Sequence, residues 1–177
     1  MLEPEEKRRF EECVLPHLDA AFNLALWLLR DKSNAEDATQ EAILRAYRFF
    51  GTYRTGDARA WLLQIVRNYC YTWLRKNRPQ EDTSVIEEDL MPSSAPSPEA
   101  LAIASHDRER VSSALEALPT HFREIFVLRE LEGCSYKEIA AITSHPIGTV
   151  MSALARARKQ LKNALSESRQ KESSRAV

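Results

Sequence analysis

Between Ser135 and Leu161 the chain reads SYKEIAAITSHPIGTVMSALARARKQL, and two helices joined by a tight turn are what such a stretch can form. Ser135 is placed to cap a helix, and Glu138, three residues on, completes a capping box. Tyr136, Ile139 and Ala140 give that helix an inner face. Periodicity ends around Thr143, Ser144 and His145, and Pro146 suits the first turn of a new helix, where a missing N–H costs nothing. In this second helix Ile147, Val150, Leu154, Ala157 and Leu161 recur at spacings of three and four, a stripe that faces a core. The other face then carries Thr149, Ser152, Ala153, Arg156 and Lys159, flanked by Arg158 and Lys162. No acidic residue occurs from Ile139 to Ser166, so the local field favours an anion such as phosphate. The plain alternative is a solvated helix whose cations complement its C-terminal dipole. A helix, a short turn and a proline-started basic helix together have the anatomy of a helix-turn-helix unit, whose second helix enters a nucleic-acid groove.

The rest of the chain also reads as helix. It has 177 residues and only four glycines, enough for one ordinary domain or two small ones. Its longest apolar run, Leu24 to Leu29, is closed by Arg30 and Asp31, far short of the roughly 18 apolar residues of a membrane span. The opening MLEPEEKRRF mixes charges with no apolar signal region behind it, so a cytoplasmic location is expected. Cys13, Cys70 and Cys134 form no CxxC pair and the four histidines are scattered, so neither a disulfide framework nor a metal site is expected.

A net charge of −1 conceals a sharp asymmetry. From Ala58 to Gln80 the charges are five cations, and from Glu81 to Asp107 they are seven acids. In chain order, a helical block covers about Glu5 to Arg30, bent at Pro16, with Phe10, Val14, Leu18, Phe22, Ala25 and Leu29 facing inward. Ser33 or Asn34 caps the next helix, Ala35 to Phe50, whose inner side uses Ala38, Ala42, Ala46, Tyr47 and Phe50 with Ile43 or Leu44. Its outer side shows Asp37, Gln40, Glu41, Arg45 and Arg48, by composition alone a solvated face. A third helix spans about Asp57 to Asn77 and stops before Pro79. Around it Tyr53, Trp61, Tyr69, Tyr71 and Trp73 are interleaved with Arg54, Arg59, Arg67, Arg75 and Lys76. Rings among cations suit unpaired nucleic acid, since stacking is worth about 1–3 kcal/mol per base; the bland reading makes most of the rings core, above all Trp61 and Trp73. Residues 79–97 read as a flexible acidic linker rich in proline and serine. Helix resumes at about 98 and runs to Pro119, followed by a helix from Pro119 to Leu131 closed by Glu132 and Gly133. Residues 167–177 have little apolar content and are expected to be disordered.

Four of these stretches, NAEDATQEAILRAYRFF, ARAWLLQIVRNYCYTWLRKN, ALEALPTHFREIFVLRELEGCSYKEIAAI and IGTVMSALARARKQL, occur in an order that resembles the extracytoplasmic-function group of bacterial sigma factors. The resemblance spans about Phe10 to Leu165. It implies an all-α fold of two small helical domains: a region 2-like bundle over 5–78 and a region 4-like helix-turn-helix domain over 98–166, joined by the linker. It also implies a subunit that binds core RNA polymerase and carries it to promoter DNA, with no catalytic site, cofactor, metal or small-molecule substrate and no direct membrane insertion. By position, Asp37, Gln40 and Glu41 would dock on the polymerase. Asn68, Tyr71, Arg75 and Lys76 would contact the minus-ten element and help melt it. Thr149, Ser152, Ala153, Arg156 and Lys159 would meet the minus-thirty-five element, with Arg156 reading a guanine edge or holding phosphate. An anti-sigma partner, often membrane-bound, is a further implication. Two departures stand out: Ser144 where the turn usually has glycine, which requires a left-handed serine or an altered turn, and Ala153 where a basic residue is common. The competing readings are a free-standing helix-turn-helix regulator and a helical protein-interaction adaptor with incidental basic faces.

Overall fold

The computed structural model describes residues 3–54, 56–78 and 105–175, and every regular element among them is helical. Helix α1 (Pro4–Cys13) starts at a reciprocal cap between Glu3 and Glu6. A 3-10 turn (Leu15–His17) separates it from α2 (Leu18–Leu29). The bend expected at Pro16 is thus a complete break, as a residue without an N–H dictates. Helix α3 (Lys32–Phe49) is capped by Asp31, whose carboxylate accepts from the Asn34 N–H at 2.8 Å. This corrects the expectation that Ser33 or Asn34 caps it: Arg30 turns the chain in a left-handed conformation, φ 56°, and leaves Asp31 extended as a cap must be. Helix α4 (Ala58–Asn77) is capped by Asp57, which accepts from the N–H groups of Arg59 and Ala60.

Helices α2, α3 and α4 pack on one another around a row of alanines, Ala35, Ala38, Ala42 and Ala46, every one fully buried. Alanine at the i+4 spacing lets helix axes approach to the short end of the usual 8–10 Å range. Leu24, Leu28, Leu62 and Val66 fill the remaining space, each contributing about 1.5–3 kcal/mol through removal from water. Phe10 fastens α1 to this bundle, meeting Tyr47 and Phe50 edge-on at 5.3 Å. Tyr53 lies between Phe50 and Trp61, and both rings belong to the packing.

In the second half, α5 (Ser105–Glu116) leads to α6 (Thr120–Phe126). Both the expected linker at 79–97 and the expected restart of helix at 98 fall outside the described residues. The helix read as continuous from Pro119 to Leu131 changes pitch to a π turn over Val127–Leu131. Gly133, φ 66°, then reverses the chain, and the Cys134 N–H donates to the Leu128 carbonyl at 2.9 Å. Arg123, almost wholly buried, donates to the carbonyls of Glu116 and Leu118, which satisfies acceptors that the end of α5 leaves without helical partners.

Helix α7 (Tyr136–Thr143) has the capping box expected of Ser135 and Glu138, with bonds of 2.6 and 3.2 Å. Ser144 adopts the left-handed conformation, φ 59°, the first of the two expected outcomes, so the turn forms with a non-glycine residue in it. Helix α8 (Ile147–Arg175) follows. Its buried stripe is broader than expected and centred elsewhere. Thr149 and Ala153 are buried, the latter completely, whereas Ile147 is exposed. The cause is packing by α5, α6 and α7 together, which covers the whole i+4 row of Thr149, Ala153, Ala157 and Leu161 beside Val150 and Leu154. The backbone also stays helical through Arg175 instead of becoming disordered from 167; no glycine or proline stands there to end it.

The two halves touch. Helix α2 meets α6, and α4 meets α7 along much of that short helix.

Candidate nucleic-acid and partner interfaces

On the outer side of α2 and α3, Leu18, Phe22, Ile43 and Leu44 line an apolar groove walled by Glu36, Thr39 and Gln40. Leu18 and Leu44 are 36% and 45% exposed, which is notable because leucine is normally among the most buried residue types. Sequence reasoning assigned Leu18 and Phe22 to the core and offered Leu44 as a core candidate; a period of three or four identifies a stripe but not which edge of it remains uncovered. Of the three acidic or polar candidates on α3, Gln40 forms the groove wall and Asp37 is exposed beside it. Glu41 turns away to accept from Arg45 Nε at 2.9 Å, and the same guanidinium lies over the Tyr69 ring.

The outer side of α4 holds the second constellation. Asn68, Arg75 and Lys76 are exposed, on adjacent rows of the helix. Thr72, between them, donates to the Asn68 carbonyl at 2.9 Å. Tyr71 stands apart from the other three, because its hydroxyl donates to Glu124 of α6 at 2.8 Å and its ring lies under Arg67 at 4.4 Å. Arg67 itself donates through Nε to the other Glu124 oxygen at 2.6 Å. Burial pushes the Glu124 carboxyl above its usual range, although Arg67 and Tyr71 pull it back by favouring the charged form. Burial, then the Glu124 charge, pushes the Tyr71 hydroxyl well up. In the sequence Arg67 stands out only as one of the cations interleaved with rings and Glu124 not at all; nothing local marks their pairing, since they meet only when the two halves fold together.

The third constellation is the exposed side of α8. Gly148, Met151 and Lys159 face outward with Ala155 half-exposed, and Ser152 and Arg156 lie at the edge. Arg158, on the other edge, is paired with Glu130. Ala153 is fully buried and cannot meet the minus-thirty-five element as expected, and Thr149 is likewise drawn inward. Met151 lies one turn beyond the exposed Ile147 on this open face.

Among the described residues no three His, Cys, Asp or Glu side chains converge on a metal-sized site, and no described helix is long and apolar enough to cross a membrane. The Cys70 thiol is pushed up to about 12 by burial, then by Glu124, and Cys134 up to about 11 by burial, which leaves both in the poorly nucleophilic thiol form.

Two family models match in chain order: sigma-70 region 2 over residues 13–80 and sigma-70 region 4 over residues 108–161. Among curated proteins the chain is 33% identical, over 89% of its length, to the ECF RNA polymerase sigma factor SigE of Mycolicibacterium smegmatis, and spans 62% of that protein. It is 34% identical, over 90% of its length and 88% of the relative's, to the RNA polymerase sigma-H factor of Pseudomonas aeruginosa. Among solved structures, the sigma factor RpoE crystallised with the anti-sigma factor NepR from Bartonella quintana superposes with a TM-score of 0.69 at 29% identity, covering 90% of this chain and 98% of that one.

Proposed function

The chain belongs to the extracytoplasmic-function sigma factors of the sigma-70 family, and on that footing we propose that it binds core RNA polymerase, directs it to specific promoters and assists melting of the minus-ten element. The observation that carries this reading is the presence on one chain of two separate cationic helix faces, on α4 and α8, beside an uncovered apolar groove on α2 and α3. A free-standing regulator needs only one of these.

The division of labour follows from the surfaces. Residues 5–78 act as the polymerase-docking and minus-ten domain, residues 79–97 as the tether, and residues 98–166 as the minus-thirty-five domain. Docking uses the groove, with Leu18 and Leu44 as apolar anchors and Gln40 and Asp37 at the rim; Glu41 serves through its pair with Arg45. On α4, Asn68, Arg75 and Lys76 engage the displaced strand, the cations by phosphate and the neighbouring rings by stacking. On α8, Met151, Ser152, Ala155, Arg156 and Lys159 form the duplex-facing set, with Arg156 the candidate for a guanine edge. The catalytic chemistry of transcription is the polymerase's. An anti-sigma protein is the natural regulator, a reading supported by the Bartonella relative's crystallisation in complex with one, and the workplace is the cytoplasm.

The test mixes the purified chain with core RNA polymerase and a promoter library. Defined transcripts that require both components are the expected result; tight duplex binding without polymerase association would refute the proposal in favour of a free-standing regulator. Arg156→Ala should weaken promoter duplex binding, and substitution at both Gln40 and Glu41 should weaken polymerase binding. Both changes acting on the same step would overturn the division of labour.

A further inference from the structure

Helix α1 reaches the turn between α3 and α4 through Arg9. The Arg9 Nη2 donates to the Arg54 carbonyl at 2.7 Å, and the guanidinium lies over the Phe50 and Tyr53 rings, 5.4 and 5.9 Å from their centroids. The next residue, Phe10, is buried and anchors α1 edge-on against Phe50. Within the turn, Thr52 Oγ1 donates to the Phe49 carbonyl at 2.6 Å and the Tyr53 hydroxyl to the Gly56 carbonyl at 2.5 Å. Outward the turn shows Arg48, Phe49 and Arg54, and the Phe49 side chain is 58% exposed. We infer that Arg9 is a positioning residue for promoter melting, which holds the α3–α4 turn in the shape that presents Phe49 and Arg54 to the unpaired strand and touches no DNA itself. The inference rests on the proposal that α4 receives that strand.

Three physical points lead to it. First, the turn runs straight into the Asp57 cap of α4, and the outer row of that helix, Ile65, Asn68, Thr72 and Arg75, runs back toward the turn. Second, an exposed phenyl ring flanked by guanidinium groups suits an unpaired base, which stacks on the ring while its phosphates meet the cations. Among the described residues no carboxylate pairs with Arg48 or Arg54, so both charges are open to phosphate. Third, Tyr53, Arg54, Gly56 and Asp57 belong to no regular element, and Gly56 has φ 135°, a conformation that only glycine enters readily. Such a segment depends on side-chain ties for its shape. A planar guanidinium supplies one by lying on two rings and donating to a carbonyl at once. The tie comes from α1, and Arg9 lies ahead of the stretch that the region 2 model matches.

The experiment uses the full chain, alone and assembled with core RNA polymerase on a promoter from which wild type initiates. In the free chain, Arg9→Ala is expected to quicken amide hydrogen exchange over residues 50–57 and to leave α2 at the wild-type rate. Unchanged exchange at the turn overturns the inference, and so does a general acceleration across residues 5–78, which marks Arg9 as a plain stability contact. In the holoenzyme, a gel shift reports promoter binding and permanganate reactivity of unpaired thymines reports melting. Arg9→Ala is expected to bind core polymerase and promoter as wild type does and to lower melting about fivefold to tenfold, the scale of one hydrogen bond with an exposed cation–π contact. Wild-type melting, or promoter binding lost in the same proportion as melting, overturns the positioning role. Tyr53→Leu removes one ring beneath the guanidinium together with the bond to Gly56. An Arg9 that acts through the turn loses its effect in that background, so adding Arg9→Ala to Tyr53→Leu should lower melting little further. The same loss in both backgrounds marks a direct phosphate contact and overturns the inference. A wild-type holoenzyme that initiates from no promoter would strike the proposed function, whereas the exchange result decides by itself whether Arg9 holds the turn.

Discussion

Ser144 holds a left-handed conformation that an L-residue enters at a cost of about 1–2 kcal/mol, while glycine enters it freely but loses more chain entropy on folding. Ser144→Gly is therefore expected to stabilise the chain by about 0.5–1 kcal/mol, a rise of roughly 1–4 °C in a thermal melt followed by circular dichroism. Next to it, His145 has its pKa lowered from 6.5, by burial first and then by the facing charge of Arg67. A depressed value means that the folded state binds fewer protons than the unfolded one, so the associated stability is present above 6.5 and drains away as pH falls below it. Melts taken from pH 7.5 to 5.5 should show wild type losing more stability than His145→Gln, and equal losses would contradict the assignment. Ser144 was legible in the sequence as a departure with two outcomes. His145 was not, because Arg67 lies far away in the chain and only the closed arrangement brings its charge to bear.

At the level of helices, most existence and type was readable and most facing was readable to within one row. Ser135 and Glu138 announced their capping box, Asp57 and Asn77 bounded α4, and Pro16 broke the first block. The misjudged facing of α8 has a packing cause: a helix covered by three neighbours buries a wider arc than a stripe counted at three and four suggests. On α8 that error exchanged Ile147 for Thr149 and Ala153. The exchange has a measurable consequence. Ala153→Leu is expected to overpack the second domain and destabilise it by about 1–3 kcal/mol in urea denaturation. Met151→Ala should leave the urea midpoint within error and weaken promoter duplex binding instead. The groove on α2 and α3 escaped the sequence for a related reason, since Leu18 and Phe22 sit at the margin of an otherwise correct inner face. Leu44→Glu should abolish association with core polymerase while the melting temperature stays within about 2 °C of wild type, as expected for an exposed position.

Across the whole molecule, the order of the two domains and their all-helical character followed from four stretches of sequence, while their mutual contact did not. Arg67 and Glu124 are 57 residues apart, and no periodicity links them. The contact also shelters Cys134, buried close to Asp57 and Arg59 at the start of α4. Native wild type should therefore react with a thiol reagent at the half-buried Cys13 well before Cys70 or Cys134. In Glu124→Gln, labelling of Cys134 should accelerate relative to Cys70, which peptide mass spectrometry resolves. Helix α8 has a last consequence of a mechanical kind. Its 29 residues make a rod about 43 Å long at 1.5 Å per residue, anchored at one end in the domain that meets the duplex. A rod of that length works as a pointer: a tilt of its base by a few degrees sweeps the far end through several ångströms, so a spectroscopic label near Arg175 would magnify small rotations of the domain on the promoter into displacements large enough to measure.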